Sequence, residues 1–311
     1  MKRAHLTRGA GAMIAAVALG GLGATSASAA PSATVAALPG AGKPTVTIGD
    51  KNFPEQNILG ALYAQALKAK GYKVKLKDNI GSSEITWKAL TAKRIDLYPE
   101  YTGTLLTAIA KRTTNPTSAK AAYTQAKTFA SSKGFTLLNA TPFADSDVLA
   151  TTKAYATKNK LTSVADLAKL GSGVKLGAPP EFATRLQGLP GIKKAYGINP
   201  AFTPIAIGLA YKALDSGQVD VQNVFTTDGQ LASGKYTLLK DPKGVFGYQN
   251  VAPVVSRAVL AKQGKAFTTT LNAVSKLLTT KAIQSLNAAV TIDKESAATV
   301  AKAFLKANHL L

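Results

Sequence analysis

From Thr45 to the C-terminus, short apolar strands alternate with amphipathic helices, a pattern that few folds accommodate. Thr45-Val46-Thr47-Ile48 has the two-residue period of a strand and runs through Gly49-Asp50-Lys51-Asn52 into Pro54-Glu55. Proline and an acid suit a first helical turn, where one N–H needs no partner and the helix dipole favours negative charge. Ile58, Leu59, Leu62, Ala66 and Leu67 follow at helical spacing, and Gly71 stops the helix. Val74-Lys75-Leu76 reads as a second strand, Ser82 or Ser83 caps a helix holding Trp87 and Leu90, and Ile95-Asp96-Leu97-Tyr98 reads as a third strand. Alternation of this kind implies a mainly parallel, doubly wound α/β sheet.

A helix over 118–132 and a strand at Phe135 to Leu138 complete this set, and Val148-Leu149-Ala150-Thr151-Thr152 begins another. In it, Ser163-Val164-Ala165-Asp166 resembles a capping box, Val174-Lys175-Leu176-Gly177 is a strand, and a helix near 207–214 precedes strands at 219–224 and 236–239. Val251 to Val255 reads as a crossing segment, and about the last 50 residues have helical apolar spacing. A length of about 270 residues exceeds what one core usually organises. The expected organisation is two lobes joined by crossings near 144–146 and near Asn250, with lobe 1 over 44–146 and 250–311 and lobe 2 over 147–249.

The N-terminus carries Lys2, Arg3 and Arg8, an uncharged run from Gly9 to Gly23, and then Ala24-Thr25-Ser26-Ala27-Ser28-Ala29. That order is that of a secretory leader, and the apolar run is shorter than the roughly 20 residues that span a bilayer. The expected leader is 1–29, cleaved after Ala27-Ser28-Ala29, and the product is secreted or periplasmic. The Ala/Pro/Gly/Ser-rich stretch over 30–43 is expected to be a flexible linker, because it has almost no large apolar residue to bury.

There is no cysteine, hence no disulfide, no thiol nucleophile and no acceptor for a lipid anchor. The two histidines are His5, in the leader, and His309, near the C-terminus, so His-based metal sites and Ser-His-Asp triads have nothing to build on. No enzyme activity, metal or cofactor is therefore expected. Removing Lys2, Arg3 and Arg8 with the leader lowers the net charge from +22 to +19, since no acid is lost. Lys73, Lys75 and Lys77 alternate with Val74 and Leu76 as the outer face of a half-buried strand. Such charge fits a solvated surface or contact with an anionic cell envelope, but not nucleic acid, for which interleaved arginines and aromatics are missing.

The segment Ile48-Gly49-Asp50-Lys51-Asn52-Phe53-Pro54-Glu55-Gln56, followed by Asp96-Leu97-Tyr98-Pro99-Glu100-Tyr101-Thr102-Gly103-Thr104, resembles the glycine betaine/choline/proline-betaine binding proteins of osmoprotectant ABC importers. Further matches are Pro180-Glu181-Phe182-Ala183-Thr184-Arg185 with Gly188-Leu189-Pro190-Gly191, Val219-Asp220-Val221 leading to Thr226-Thr227-Asp228-Gly229, and Ala252-Pro253-Val254-Val255. They run in order along the chain from about Thr45.

The resemblance implies a type II periplasmic-binding-protein-like fold, in which two doubly wound lobes joined by two crossings close on a small osmolyte and dock on permease subunits as a monomer. A betaine or choline head group has no N–H, so it is held by dispersion and by the faces of aromatic rings, at roughly 0.5 to 2 kcal/mol per ring. The matching positions supply Tyr101, Phe225 and Tyr248. Where relatives commonly carry a further tyrosine this chain has Val148, which implies a three-walled box. For a carboxylate the matching groups are Lys51, the Thr104 hydroxyl and Arg185; Asn52, Asp147, Phe182 and Asp228 stand behind them. Asp145 and Asp147 keep open another solute, such as an amino acid or a polyamine-like cation. A lone tyrosine or phenylalanine is by default core, and Lys51 is by default a surface charge. An exported enzyme using Glu100 with Asp228, or an envelope-adhering protein, are the readings from other classes.

Overall fold

The computed structural model describes residues 37–311; the leader and the first part of the linker, over 1–36, lie outside the described residues. Two five-stranded mixed sheets form the frame. The first contains β1 (Val46–Gly49), β2 (Val74–Lys77), β3 (Leu97–Tyr101), β4 (Phe135–Leu137) and β10 (Val251–Ser256), in the order β2-β1-β3-β10-β4. The second contains β5 (Asp147–Thr152), β6 (Lys175–Ala178), β7 (Ala201–Pro204), β8 (Val221–Phe225) and β9 (Tyr236–Leu239), in the order β7-β6-β8-β5-β9. Each has four strands running in one direction and a single strand antiparallel to them that arrives from the other sheet: β10 in the first and β5 in the second. The two-lobed α/β fold expected from the sequence is the one observed.

Helices cover both faces of each sheet. On one face of the first sheet, the helix Pro54–Ala69 buries Ile58, Leu59, Leu62 and Leu67 completely, against the C-terminal helices Lys265–Leu277, Thr280–Thr291 and Ala297–Ala307. Full burial of such side chains contributes about 1.5–3 kcal/mol each. On the opposite face, Leu90 from Ser83–Thr91 and Ala126 and Ala130 from Ala119–Ser132 pack on Tyr98 and Val254. Gly71, at φ +83, turns the chain at the end of the first helix as its residue type predicts. Lys73, Lys75 and Lys77 are exposed along edge strand β2 while Val74 and Leu76 are half-buried, as the alternation implies.

Three local features differ from the sequence reading. Val251–Ser256 is not only a crossing; it pairs with both β3 and β4 in the interior of the first sheet. Strand β7 and the helix Leu189–Tyr196 have too short an apolar pattern to stand out. Residues 38–43, assigned to the linker by composition, form a turn on the end of the first helix, where the Gly40 N–H donates to the Lys70 carbonyl at 2.8 Å.

The two passages between the sheets run side by side. Ala144 and Asn250 form an antiparallel bridge, and the Asp145 N–H donates to the Gln249 carbonyl at 3.1 Å. Two adjacent strands sharing one bridge make a narrow hinge.

Candidate functional site

The loop after β1, the end of β3 and the loop after β6 converge on one cleft between the two sheets, with about 60 Å³ of free space. One water needs about 10–15 Å³, so the cleft has the scale of a small solute. It is lined by Lys51, Asn52, Tyr101, Thr104, Asp147, Phe182, Arg185 and Phe225, eight of the ten positions named from the sequence. Tyr248 is elsewhere: the residue is 39% exposed and its hydroxyl donates to the Thr117 carbonyl. The preceding Gly247, at φ +64, turns the backbone there, and no motif spacing reveals that. Asp228 is also off the cleft, accepting from the Phe225 N–H at 3.0 Å and the Tyr211 hydroxyl at 2.8 Å, where it fixes the loop that carries Phe225.

Phe53 supplies the ring that the sequence reading missed. It stacks between Tyr101 and Phe225, with centroids 6.2 Å apart on each side and interplanar angles of 23° and 8°. Val148, expected to leave a gap in the box, is half-buried and packs against the second-lobe cluster that contains Ala150, Ile205, Ala213 and Val224. The available signal was position: Phe53 is a large apolar side chain in an otherwise polar strand-to-helix loop. Gripping one methyl carbon between two rings takes about 7–8 Å, two carbon contacts of 3.5–4.0 Å. A trimethylated group entering this row therefore separates two of its rings.

The cationic residues are already paired. The Lys51 ammonium, 3% exposed, donates to Glu100 Oε1 at 2.7 Å and Ser83 Oγ at 3.0 Å and lies 4.1 Å from the Tyr101 ring centroid. Burial lowers its pKa, and Glu100 opposes that shift. Glu100 also accepts from the Tyr98 hydroxyl and the Tyr101 N–H, so it is held from three sides. Arg185 grips Glu84 with two hydrogen bonds, from Nε at 3.1 Å and from a terminal nitrogen at 2.8 Å. Glu84 belongs to a helix on the first sheet and Arg185 to a loop of the second, so the pair spans the cleft mouth. Burial raises the Glu84 pKa, but the guanidinium outweighs it and holds the carboxyl down at about 2.

Thr104 is likewise engaged: its N–H and hydroxyl both donate to Gln249 Oε1, at 3.0 and 3.2 Å. Gln249 donates in turn to Gln187 at 2.9 Å, and Gln187 accepts from Thr107 at 3.0 Å. This glutamine pair joins the two lobes and carries no sequence signature. The acids are less compensated. Burial pushes Asp147 up to about 6 despite the Asn223 amide that donates to it at 3.0 Å. Among the described residues, no group of three or more His, Cys, Asp or Glu side chains is placed to hold a metal ion, and no helix is long and apolar enough to cross a membrane.

A family model described as the substrate binding domain of ABC-type glycine betaine transport systems matches residues 44–307. The chain belongs to that family. It is 34% identical to a glycine-betaine-binding protein of Pseudomonas aeruginosa, over 86% of this chain and 89% of that one. It is 31% identical to the glycine betaine-binding protein YehZ of Escherichia coli, over 84% of this chain and 90% of that one. A crystal structure described as a glycine betaine/carnitine/choline ABC transporter superposes with a TM-score of 0.69 at 29% identity, covering 85% of this chain and 99% of that one. Its family membership makes this chain a transport binding protein, and the cleft between its sheets is where such a protein would hold its solute.

Proposed function

We propose that this chain is the extracytoplasmic capture subunit of an ABC importer and that it encloses a quaternary ammonium osmolyte, choline or glycine betaine, between its lobes for delivery to the permease. The observation that carries this reading is the row of rings Tyr101, Phe53 and Phe225 at the cleft. Three apolar faces suit a cation without N–H groups. Asp145 and Asp147 add two carboxyl groups to the lining, whereas Lys51 and Arg185 are each neutralised by a carboxylate.

Lobe 1 is taken as 44–146 with 250–311 and lobe 2 as 147–249, and the exported chain is taken to act as a monomer without catalysis. Its high positive charge supports contact with an anionic envelope, since only Lys51, Lys169 and Arg185 form ion pairs among the described residues. The second reading, a solute with N–H donors, draws on the same two aspartates.

Calorimetric titration with choline, glycine betaine, proline and arginine separates the two. Micromolar binding of choline or glycine betaine is expected; a response to arginine or proline alone would replace the proposal with the second reading.

A betaine carboxylate has to compete with Glu84 for Arg185. In Glu84→Ala, glycine betaine should gain about tenfold over choline, the worth of one charge-assisted contact, while the empty clamp should close less readily. Glu84 carries a folded-state pKa below its ordinary 4.5, so the latch is fully present above that pH and is lost as pH falls through about 2. An unchanged choline-to-betaine ratio would show that Arg185 does not reach the solute.

A further inference from the structure

At the hinge one hydroxyl stands between two buried carboxyl groups. Thr227 Oγ1 lies 2.6 Å from Glu55 Oε2 and 2.6 Å from Asp145 Oδ1. A hydroxyl has one proton to donate. Both contacts are therefore hydrogen bonds only if one carboxyl carries a proton and donates it to the threonine oxygen. Glu55 collects three donors, since Oε1 accepts from the Tyr101 hydroxyl at 2.8 Å and Oε2 accepts from Thr227 and from the Asn287 amide at 2.9 Å. Three donors favour the ionised form, which leaves the proton on Asp145. Burial drives the Asp145 pKa well above 3.8, and the Glu55 charge adds to that shift.

The four residues come from different parts of the machine. Glu55 and Asn287 sit on helices of the first lobe, Thr227 follows β8 of the second, and Asp145 lies in the crossing itself. Separating the lobes would take Thr227 from Glu55 and Asn287 and would admit water to both carboxyls. Other titratable and charged groups face the pair. Lys51 lies after β1 and Tyr101 on β3; Asp147 is on β5, Tyr211 on the helix Ala210–Asp215 and Asp228 after β8; Lys294 lines a cavity that Glu55, Asp145 and Thr227 also line. Asp147 and Asp228 oppose a second negative charge there, and the Lys51 ammonium is bound to Glu100.

We infer that closing the empty clamp takes up one proton, held between Asp145 and Glu55 through Thr227, so that pH sets how far the lobes close before any solute arrives. The chain also links this proton to the Tyr101 ring, because Glu55 fixes both Thr227 and the tyrosine hydroxyl. The closed form binds the proton more tightly than the open form. Its advantage is therefore complete below the ordinary carboxyl range and is lost as pH rises through the closed-state value.

The chain has no cysteine, so one introduced on each lobe, at Lys127 and at Lys158, accepts a spin-label pair without background. In the ligand-free mature protein, the ratio of closed to open distances should fall about tenfold per pH unit within that window, the linkage slope for one proton. Asp145→Asn supplies a permanent N–H donor and should flatten the profile. Infrared spectra of the unlabelled protein should show a protonated carboxylic acid band that Asp145→Asn removes. A flat wild-type profile, or a wild-type slope retained in Asp145→Asn, would overturn the inference, as would absence of the band at a pH where the lobes are closed. No solute enters these measurements, so their failure is distinct from failure of the proposed osmolyte specificity.

Discussion

Tyr101→Ala is expected to raise the Kd for a quaternary ammonium solute about a hundredfold. A cation–π face contributes about 0.5–2 kcal/mol, and the lost apolar contact brings the total to about 3 kcal/mol. The substitution also strips Glu55 Oε1 of the hydroxyl that donates to it at 2.8 Å, leaving a buried carboxylate atom less well satisfied. Tyr101→Phe separates the two effects, because it keeps the ring and removes only the hydroxyl. It should cost less than tenfold. Titration of both variants against choline and glycine betaine decides the matter: equal losses would mean that the tyrosine acts through Glu55 and that its face does not hold the solute.

Gly229→Val is expected to abolish tight binding from outside the cleft. Gly229 opens the turn Gly229–Ser233 of the second lobe, which lies on the first-lobe helix Thr280–Thr291. A Cβ there would sit 2.5 Å from Ala288 Cα and 2.7 Å from Ala288 N, distances at which backbone must move. The glycine φ is not in the left-handed region, so the local chain tolerates a side chain and the obstruction lies between the lobes. The valine should act as a wedge, with at least a hundredfold loss of affinity and a Tm within a few degrees of wild type, because neither lobe core is touched. Wild-type affinity in this variant would show that the lobes do not need this contact to close on the solute.

What was legible in the sequence, and what was not, follows from range. Alternation, the glycine stop at Gly71 and the capping box at Ser163, whose side chain and Asp166 satisfy each other's backbone N–H groups, are local signals and appear in the structure as read. Lys51, Tyr101 and Arg185 could be placed at the cleft because they stand in short motifs at the ends of elements. Their partners could not. Glu84 lies 101 residues before Arg185, and Glu55 and Thr227 are 172 residues apart, so only the folded chain brings them together. Tyr248 shows the converse, since its place in a motif says nothing about which way a glycine-turned backbone points its ring.

The ammonium of Lys51 over Tyr101 gives the cleft a resident guest on a tether. Its local concentration is set by the chain, and no wash removes it. A solute bearing a primary ammonium would offer the ring only what it already has, and would meet a like charge while doing so. A methylated head group cannot replace the hydrogen bonds that Lys51 gives to Glu100 and Ser83, so it has to take a place beside the lysine and share with it the row of Tyr101, Phe53 and Phe225. Discrimination against ordinary amines would then be built into the receptor itself, as self-occupancy, before any solute is tested for fit.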